Sequence, residues 1–350
     1  MMTKRNKLWL ISLAAIVCVS IVASLLSGCT GGTTAASETT VAETTAAATT
    51  IAEETTAAET TVVEETTAAE TTVVEETTAE TTQEINFDGK KLILSGSTTL
   101  LEVAQLWSEA FMEKYSGEIT VNGGGSGVGI ADLINGTNDI ANSSRQIKSS
   151  ELDKAKTAGK DIKEYLVLYD GICIVTSKNI NIPELTLDQL ANIYIGNYKN
   201  WKDVGGPDAP IVVLGRDSNS GTGEFFLQKV VQLNQTNKND YGDNVLRLQS
   251  NADVTNQVIT NNNAIGYIGM GYLKEAGDKV NVVKVKFAKD TPAIGPTKQT
   301  VGDKTYPISR DTYNYVNTKK FSEIAKAYIA FILSPEGQAI GEKAGFVKVK

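Results

Sequence analysis

Seven consecutive residues, Arg216-Asp217-Ser218-Asn219-Ser220-Gly221-Thr222, hold the groups needed to grip a small anion without any covalent step. They follow the apolar run Ile211-Val212-Val213-Leu214 and precede Phe225-Phe226-Leu227-Gln228-Lys229-Val230-Val231, an order that predicts strand, tight polar turn and helix. A helix that begins in Ser-Gly-Thr offers free backbone N–H groups, two hydroxyls and the positive end of its dipole. Arg216 adds a planar fork that fits two oxygens of a tetrahedral anion.

Two further junctions repeat the design. Lys91-Leu92-Ile93-Leu94 reads as a strand ending in the turn Ser95-Gly96-Ser97-Thr98-Thr99, after which Leu100, Val103, Ala104, Trp107, Phe111 and Tyr115 recur at helical spacing. Glu118-Ile119-Thr120-Val121 reads as a second strand, Gly123-Gly124-Gly125-Ser126-Gly127 as its turn, and Ile130, Leu133 and Ile134 mark the helix beyond. One such junction is explained by ordinary N-capping; three, with an arginine, point to a shared anion site. A fourth candidate is Asn142-Ser143-Ser144-Arg145 after Asp139-Ile140-Ala141, where the alternative is a polar loop leading into a helix over 151–158.

These units imply an α/β fold, a mostly parallel sheet with helices on its faces and ligands beyond the carboxyl ends of the strands. The body, residues 85–350, is long enough for one large core or two medium ones. The chain contains no histidine, which removes Ser-His-Asp and Cys-His catalysis, most zinc sites and the usual general base near neutral pH. An extracellular phosphatase would need a metal cluster or an activated nucleophile, and the sequence offers neither. The Gly-rich stretch 123–129 has no ribose-binding acid about 20 residues on, so it is not read as a dinucleotide site.

Residues 1–28 carry Lys4, Arg5 and Lys7 before an apolar stretch that runs into Leu26-Ser27-Gly28-Cys29. That is an export signal rather than a fold element. Leu26–Cys29 resembles the lipobox of bacterial lipoproteins, which implies cleavage, lipidation (palmitate) of Cys29 and a cell-membrane location on the extracellular face; an uncleaved anchor is the alternative. Residues 29–84, rich in Thr, Ala and Glu without any Lys, Arg, Pro or aromatic residue, read as a disordered tether, with a short helix as the competing reading. At 55 residues beyond the cysteine its span is on the order of 40 Å. The glutamates at 38–84 contribute −12 and the signal +3, so the net −8 of the whole chain leaves the body near +1. Such a body does not suit nucleic acid. Once Cys18 leaves with the signal and Cys29 takes a lipid, only Cys173 remains, which excludes a disulfide within the body and reads as a buried inert thiol.

Taken in order, Ser95–Leu100, Gly123–Gly127, Asn142–Arg145, Leu185–Leu190, Asn200–Gly206, the 216–222 turn, Ala264–Gly269 and Tyr306–Arg310 resemble the phosphate-binding proteins of the high-affinity phosphate ABC transporter family, in its Gram-positive lipoprotein form. The resemblance spans residues 91–350. It implies a two-lobed periplasmic-binding-protein fold whose chain crosses twice, with lobe 1 formed by 85–168 plus 268–350 and lobe 2 by 169–267. It also implies capture of inorganic phosphate by a monomer, without any cofactor or metal, for delivery to a membrane permease. The phosphate contacts it implies are Thr98 (hydroxyl), Thr99 (main chain), Ser126, Arg216, Ser220, Gly221 (main chain) and Thr222, with Ser144 and Arg145 as further candidates and Asp217 orienting Arg216. Asn200-Trp201 is expected to be structural. Two departures stand out: some members place an aspartate where Ser144 aligns, and Gly223-Glu224 replaces an arginine that many relatives carry. Sulfate, molybdate or tungstate is the closest alternative ligand, and a surface adhesin a more distant function.

Overall fold

The computed structural model describes residues 85–349. The export signal, Cys29 and the tether lie outside them. Three strand–helix units open the described chain: β1 (Lys91–Gly96) and α1 (Leu101–Tyr115), β2 (Glu118–Gly124) and α2 (Ser126–Asn135), β3 (Ile140–Ser143) and α3 (Ser149–Thr157). Then follow β4 (Ile162–Ser177), β5 (Glu184–Thr186), α4 (Leu187–Tyr194), β6 (Val212–Arg216) and α5 (Gly221–Phe226). The remainder is β7 (Val245–Leu248), α6 (Asn251–Thr260), β8 (Ala264–Gly269), α7 (Leu273–Ala276), β9 (Val280–Lys286), α8 (Lys298–Gly302), β10 (Ser309–Asn317), α9 (Glu323–Leu333), α10 (Pro335–Lys343) and β11 (Val347–Lys348). Among the described residues no helix is long and apolar enough to cross a membrane.

The strands run in the order β2-β1-β3-β10-β4-β8-β6-β7, with β5, β9 and β11 alongside. Pairing is parallel where strand–helix units follow one another, as in β1 with β2 and β3, and β6 with β7 and β8. It is antiparallel along β4 and β10. The fold is thus α/β with a mixed sheet, as the strand–turn–helix pattern predicts for its flanks.

β4 explains how the halves are joined. Its residues up to Gly171 pair with β10, whereas Ile172–Thr176 pair with β8 and Ile174–Ser177 with β9. The first half lies against one core, where Val103, Trp107 and Phe111 from α1 meet Leu92, Leu94, Tyr328 and Phe331. Those α1 positions recur at 3.6-residue spacing, so a single face is buried, and Phe111 sets its ring edge-on to Tyr328 and Phe331. The second half runs through another core built from Ile172–Val175, Leu190, Trp201, Phe226 and Tyr267. Trp201 is fully buried there and donates to the Asn263 carbonyl, which makes it structural as expected. Cys173 is also buried, and desolvation pushes its thiol well above the usual value.

Candidate anion-binding site

Four helix starts face one another where the strands end. Thr98 and Thr99 precede α1, Ser126 opens α2, Ser220-Gly221-Thr222 opens α5, and Asn251 opens α6. First-turn N–H groups have no helix carbonyl before them, so each start offers donors. All these side chains are buried, together with Ser144.

Hydroxyl contacts stitch the starts together. Thr99 Oγ1 lies 2.7 Å from Thr222 Oγ1, and Ser126 Oγ lies 3.3 Å from Ser144 Oγ. The Ser144 N–H donates to Ser126 Oγ at 3.0 Å, and Ser144 Oγ lies 3.4 Å from Thr222 Oγ1. Ser220 caps its own helix by accepting from the Gly223 N–H. The Thr99 N–H, expected to face the ligand, is 3.2 Å from Ser97 Oγ. Backbone approach is close throughout: the Gly127 N–H donates to the Asn219 carbonyl at 3.0 Å, and a Cβ on Gly221 would stand 2.1 Å from Ser126 Oγ.

Arg216 is only 1% exposed, and burial pulls its pKa down. Its Nη2 donates to Thr98 Oγ1 and to the Gln249 carbonyl, each at 2.8 Å, and its Nε to the Leu248 carbonyl at 3.3 Å. Nη1 is buried without a hydrogen-bond partner. Carbonyls of the β7–α6 turn therefore orient this guanidinium. Asp217, expected in that role, accepts from the Asn219 N–H, and its charge raises the Arg216 pKa without a hydrogen bond to the guanidinium. No carboxylate among the described residues forms an ion pair with Arg216, so a buried positive charge is left with an unused donor. Behind it, Tyr267 accepts from the Arg216 N–H and Tyr241 donates to the Gly223 carbonyl, their two oxygens 2.9 Å apart. Burial pushes the Tyr267 phenol up to about 12, so it stays neutral.

Arg145 is turned elsewhere. Both its terminal nitrogens bind the Glu151 carboxylate, at 2.7 and 2.8 Å, and Nη1 also donates to the Gln146 carbonyl. Glu224 pairs with Lys148 at 2.8 Å and accepts from Gln228 at 2.7 Å, which neutralises the acid nearest the 220–222 turn.

Three residues not singled out from the sequence complete the cluster. Arg310 forks onto Asp170, with Nε at 2.9 Å and Nη2 at 2.6 Å from Oδ2, and both side chains are 0% exposed. Burial pushes Asp170 up from its ordinary value, while Arg310 and the Met270 N–H pull it down. The remaining Arg310 protons go to the Ser144 carbonyl (3.1 Å), Thr222 Oγ1 (3.0 Å) and Thr99 Oγ1 (3.3 Å). Asn251 donates to Thr99 Oγ1 and Thr98 Oγ1 and accepts from the Gly269 N–H. Signals existed for two of them. Asp170 is a lone acid in an apolar strand, which requires a partner, and Asn251 stands at one more strand–turn–helix junction. Outside the cluster a cleft of about 350 Å³ opens beside Arg310, lined by Arg145, Lys148, Lys229 and Lys304 with Asp311; Arg145, Lys148 and Lys304 are paired with Glu151, Glu224 and Asp311.

The profile of the PBP superfamily domain matches residues 32–336. Phosphate-binding protein PstS from Staphylococcus aureus is 33% identical over 261 residues, which cover 72% of this chain and 76% of the relative. Among solved structures, a substrate-binding protein assigned to phosphate ABC transport in Clostridium perfringens, with phosphate bound, is 35% identical with a TM-score of 0.66, covering 75% of this chain and 100% of that one. A phosphate transport receptor from Vibrio cholerae is 26% identical with a TM-score of 0.59, covering 74% and 100%.

Proposed function

Because the chain belongs to the PBP superfamily and, within it, to the PstS phosphate-binding proteins, we propose that it binds inorganic phosphate at the cluster around Arg216 and serves a phosphate ABC transporter as its substrate-binding protein. The family is one of transport rather than catalysis. One observation carries the assignment of the site: a buried guanidinium that forms no ion pair among the described residues and keeps Nη1 without an acceptor, set among helix N-termini. An anion supplies the missing charge and the missing acceptor together.

The contacts fall to Thr98, Ser126, Arg216, Ser220, Gly221 and Thr222, with Ser144 at the edge. Hydrogen bonds to a charged group contribute about 1.5–3 kcal/mol each, so seven or eight of them offset dehydration and leave the roughly −8 kcal/mol of micromolar binding. The two cores act as lobes, and bound phosphate raises the population of the state in which their helix starts meet. Pairing of β9 with β4, and the presence of Val280, Val283 and Val285 in the core around Ile172–Val175, favour a return crossing nearer Ser309 than residue 268. Delivery to a permease, lipidation at Cys29 and an extracellular, membrane-tethered location complete the proposal.

Arg216→Ala tests the site. Isothermal titration should register at least about a hundredfold loss in phosphate affinity. The ligand-free melting temperature should stay within a few degrees, because the substitution removes an uncompensated buried charge. Unaltered affinity would take Arg216 out of the site.

A further inference from the structure

Which protons the site can accept is fixed by its hydrogen-bond arithmetic. A hydroxyl has one proton and two acceptor lone pairs. Thr98 Oγ1 receives Arg216 Nη2 at 2.8 Å and Asn251 Nδ2 at 3.4 Å. Thr99 Oγ1 receives Asn251 Nδ2 at 3.2 Å and Arg310 Nη2 at 3.3 Å. With both lone pairs occupied, Thr99 must be the donor in its 2.7 Å contact with Thr222 Oγ1, which also receives Arg310 Nη1 at 3.0 Å. The Asn251 orientation that drives this follows from its other end, whose oxygen accepts from the Gly269 N–H. Resting on the phosphate-binding reading above, we propose that Arg310 and Asn251 are positioning residues that, with Arg216, fix the proton directions of the threonine hydroxyls, Thr99 donating to Thr222 and leaving Thr98 and Thr222 as donors toward the ligand, so that the site takes phosphate as the dianion.

Acids nearby do not relieve this. Asp170 from β4 has Oδ2 taken twice by Arg310 and Oδ1 by the Met270 N–H. Glu151 is held by Arg145, Glu224 by Lys148, and Asp217 accepts from the Asn219 N–H. Tyr272, packed from beyond β8, donates its hydroxyl to the Thr98 carbonyl, and burial pushes it up to about 12; Tyr267 is likewise neutral. At the cleft Lys304 pairs with Asp311 and Lys229 offers only an amine, and the chain has no histidine. One ligand proton finds the serine corner of Ser126 and Ser144, whose hydroxyls face each other at 3.3 Å. The second proton of the monoanion meets only donors. Binding below the second ionisation of phosphate must then expel a proton.

Calorimetry of the full chain with inorganic phosphate, in two buffers of different ionisation enthalpy, counts that proton. Near pH 6 the wild type should release close to one proton per phosphate bound, and near pH 8.5 almost none. Asn251→Asp replaces a donor by an acceptor and frees the Thr98 and Thr99 oxygens to receive; its release near pH 6 should fall to about half or less. Arg310→Lys keeps the charge opposite Asp170 but loses the fork, and should shift the count in the same direction; a merely structural Arg310 would lower the melting temperature and affinity while leaving the count alone. Tight wild-type binding near pH 6 without proton release overturns the proposal, as do folded variants that release as the wild type does. Absence of phosphate binding at either pH would instead fall on the functional assignment.

Discussion

Arg145 and Arg216 carry the same guanidinium, and only their partners tell them apart. Arg145 spends its fork on Glu151, whereas Arg216 meets carbonyls and a hydroxyl and keeps one nitrogen free. Arg145→Ala should therefore cost about 1–3 kcal/mol of stability, the penalty of leaving a half-buried carboxylate unpaired. Phosphate affinity should change by less than about tenfold in titration, against the hundredfold expected at Arg216. Local sequence was enough to bring Thr98, Ser126, Ser220 and Thr222 forward, since each lies in a short Gly/Ser/Thr turn between a strand and an apolar helical stripe. It could not find the Arg310–Asp170 pair, whose members are far apart in sequence and meet only through the register of β10 on β4. Asp217 acts on Arg216 through its charge, while the hydrogen bond it accepts comes from the turn N–H of Asn219.

At the scale of elements, the site depends on how closely α2 and α5 can begin. Gly125, with φ of +97°, turns the chain into α2 at a point where a Cβ would stand 2.5 Å from the Asn219 carbonyl. Gly221 faces Ser126 with no room for a methyl group. Gly221→Ala should push the two starts apart, cost about 1–3 kcal/mol of stability by overpacking and reduce phosphate affinity by about tenfold or more; affinity within twofold would show that the helices can yield. Acid sensitivity belongs here too. Although burial pushes Glu151 up, the Arg145 fork and the Lys148 N–H hold it below the ordinary carboxylate value. Its contribution is complete above the unfolded-state value and fades as pH falls through the folded one. Glu151→Gln should give a shallower acid-side fall in melting temperature. Helix α2 begins at Ser126, four residues before the first apolar position of its stripe, because Gly125 and the backbone contact at Gly127, rather than periodicity, set where it starts.

Across the whole molecule, β4 runs for 16 residues and serves both cores. Mixed pairing along it was not legible in a pattern that favoured parallel units, because antiparallel return strands carry no local signature of their partner. Both cores should melt together, so calorimetry should record one transition, raised in temperature by the roughly 2.7 kcal/mol of added stability at phosphate a hundredfold above its dissociation constant; two transitions would mean that the cores uncouple at β4. The same strand limits how the protein can be divided. A split-reporter design cannot give each fragment an intact core, since any cut that leaves β4 whole assigns it to one piece and strips the other of a central strand. Surface turns such as that at Gly205, where the chain is open to solvent, are the places to insert a sensing module.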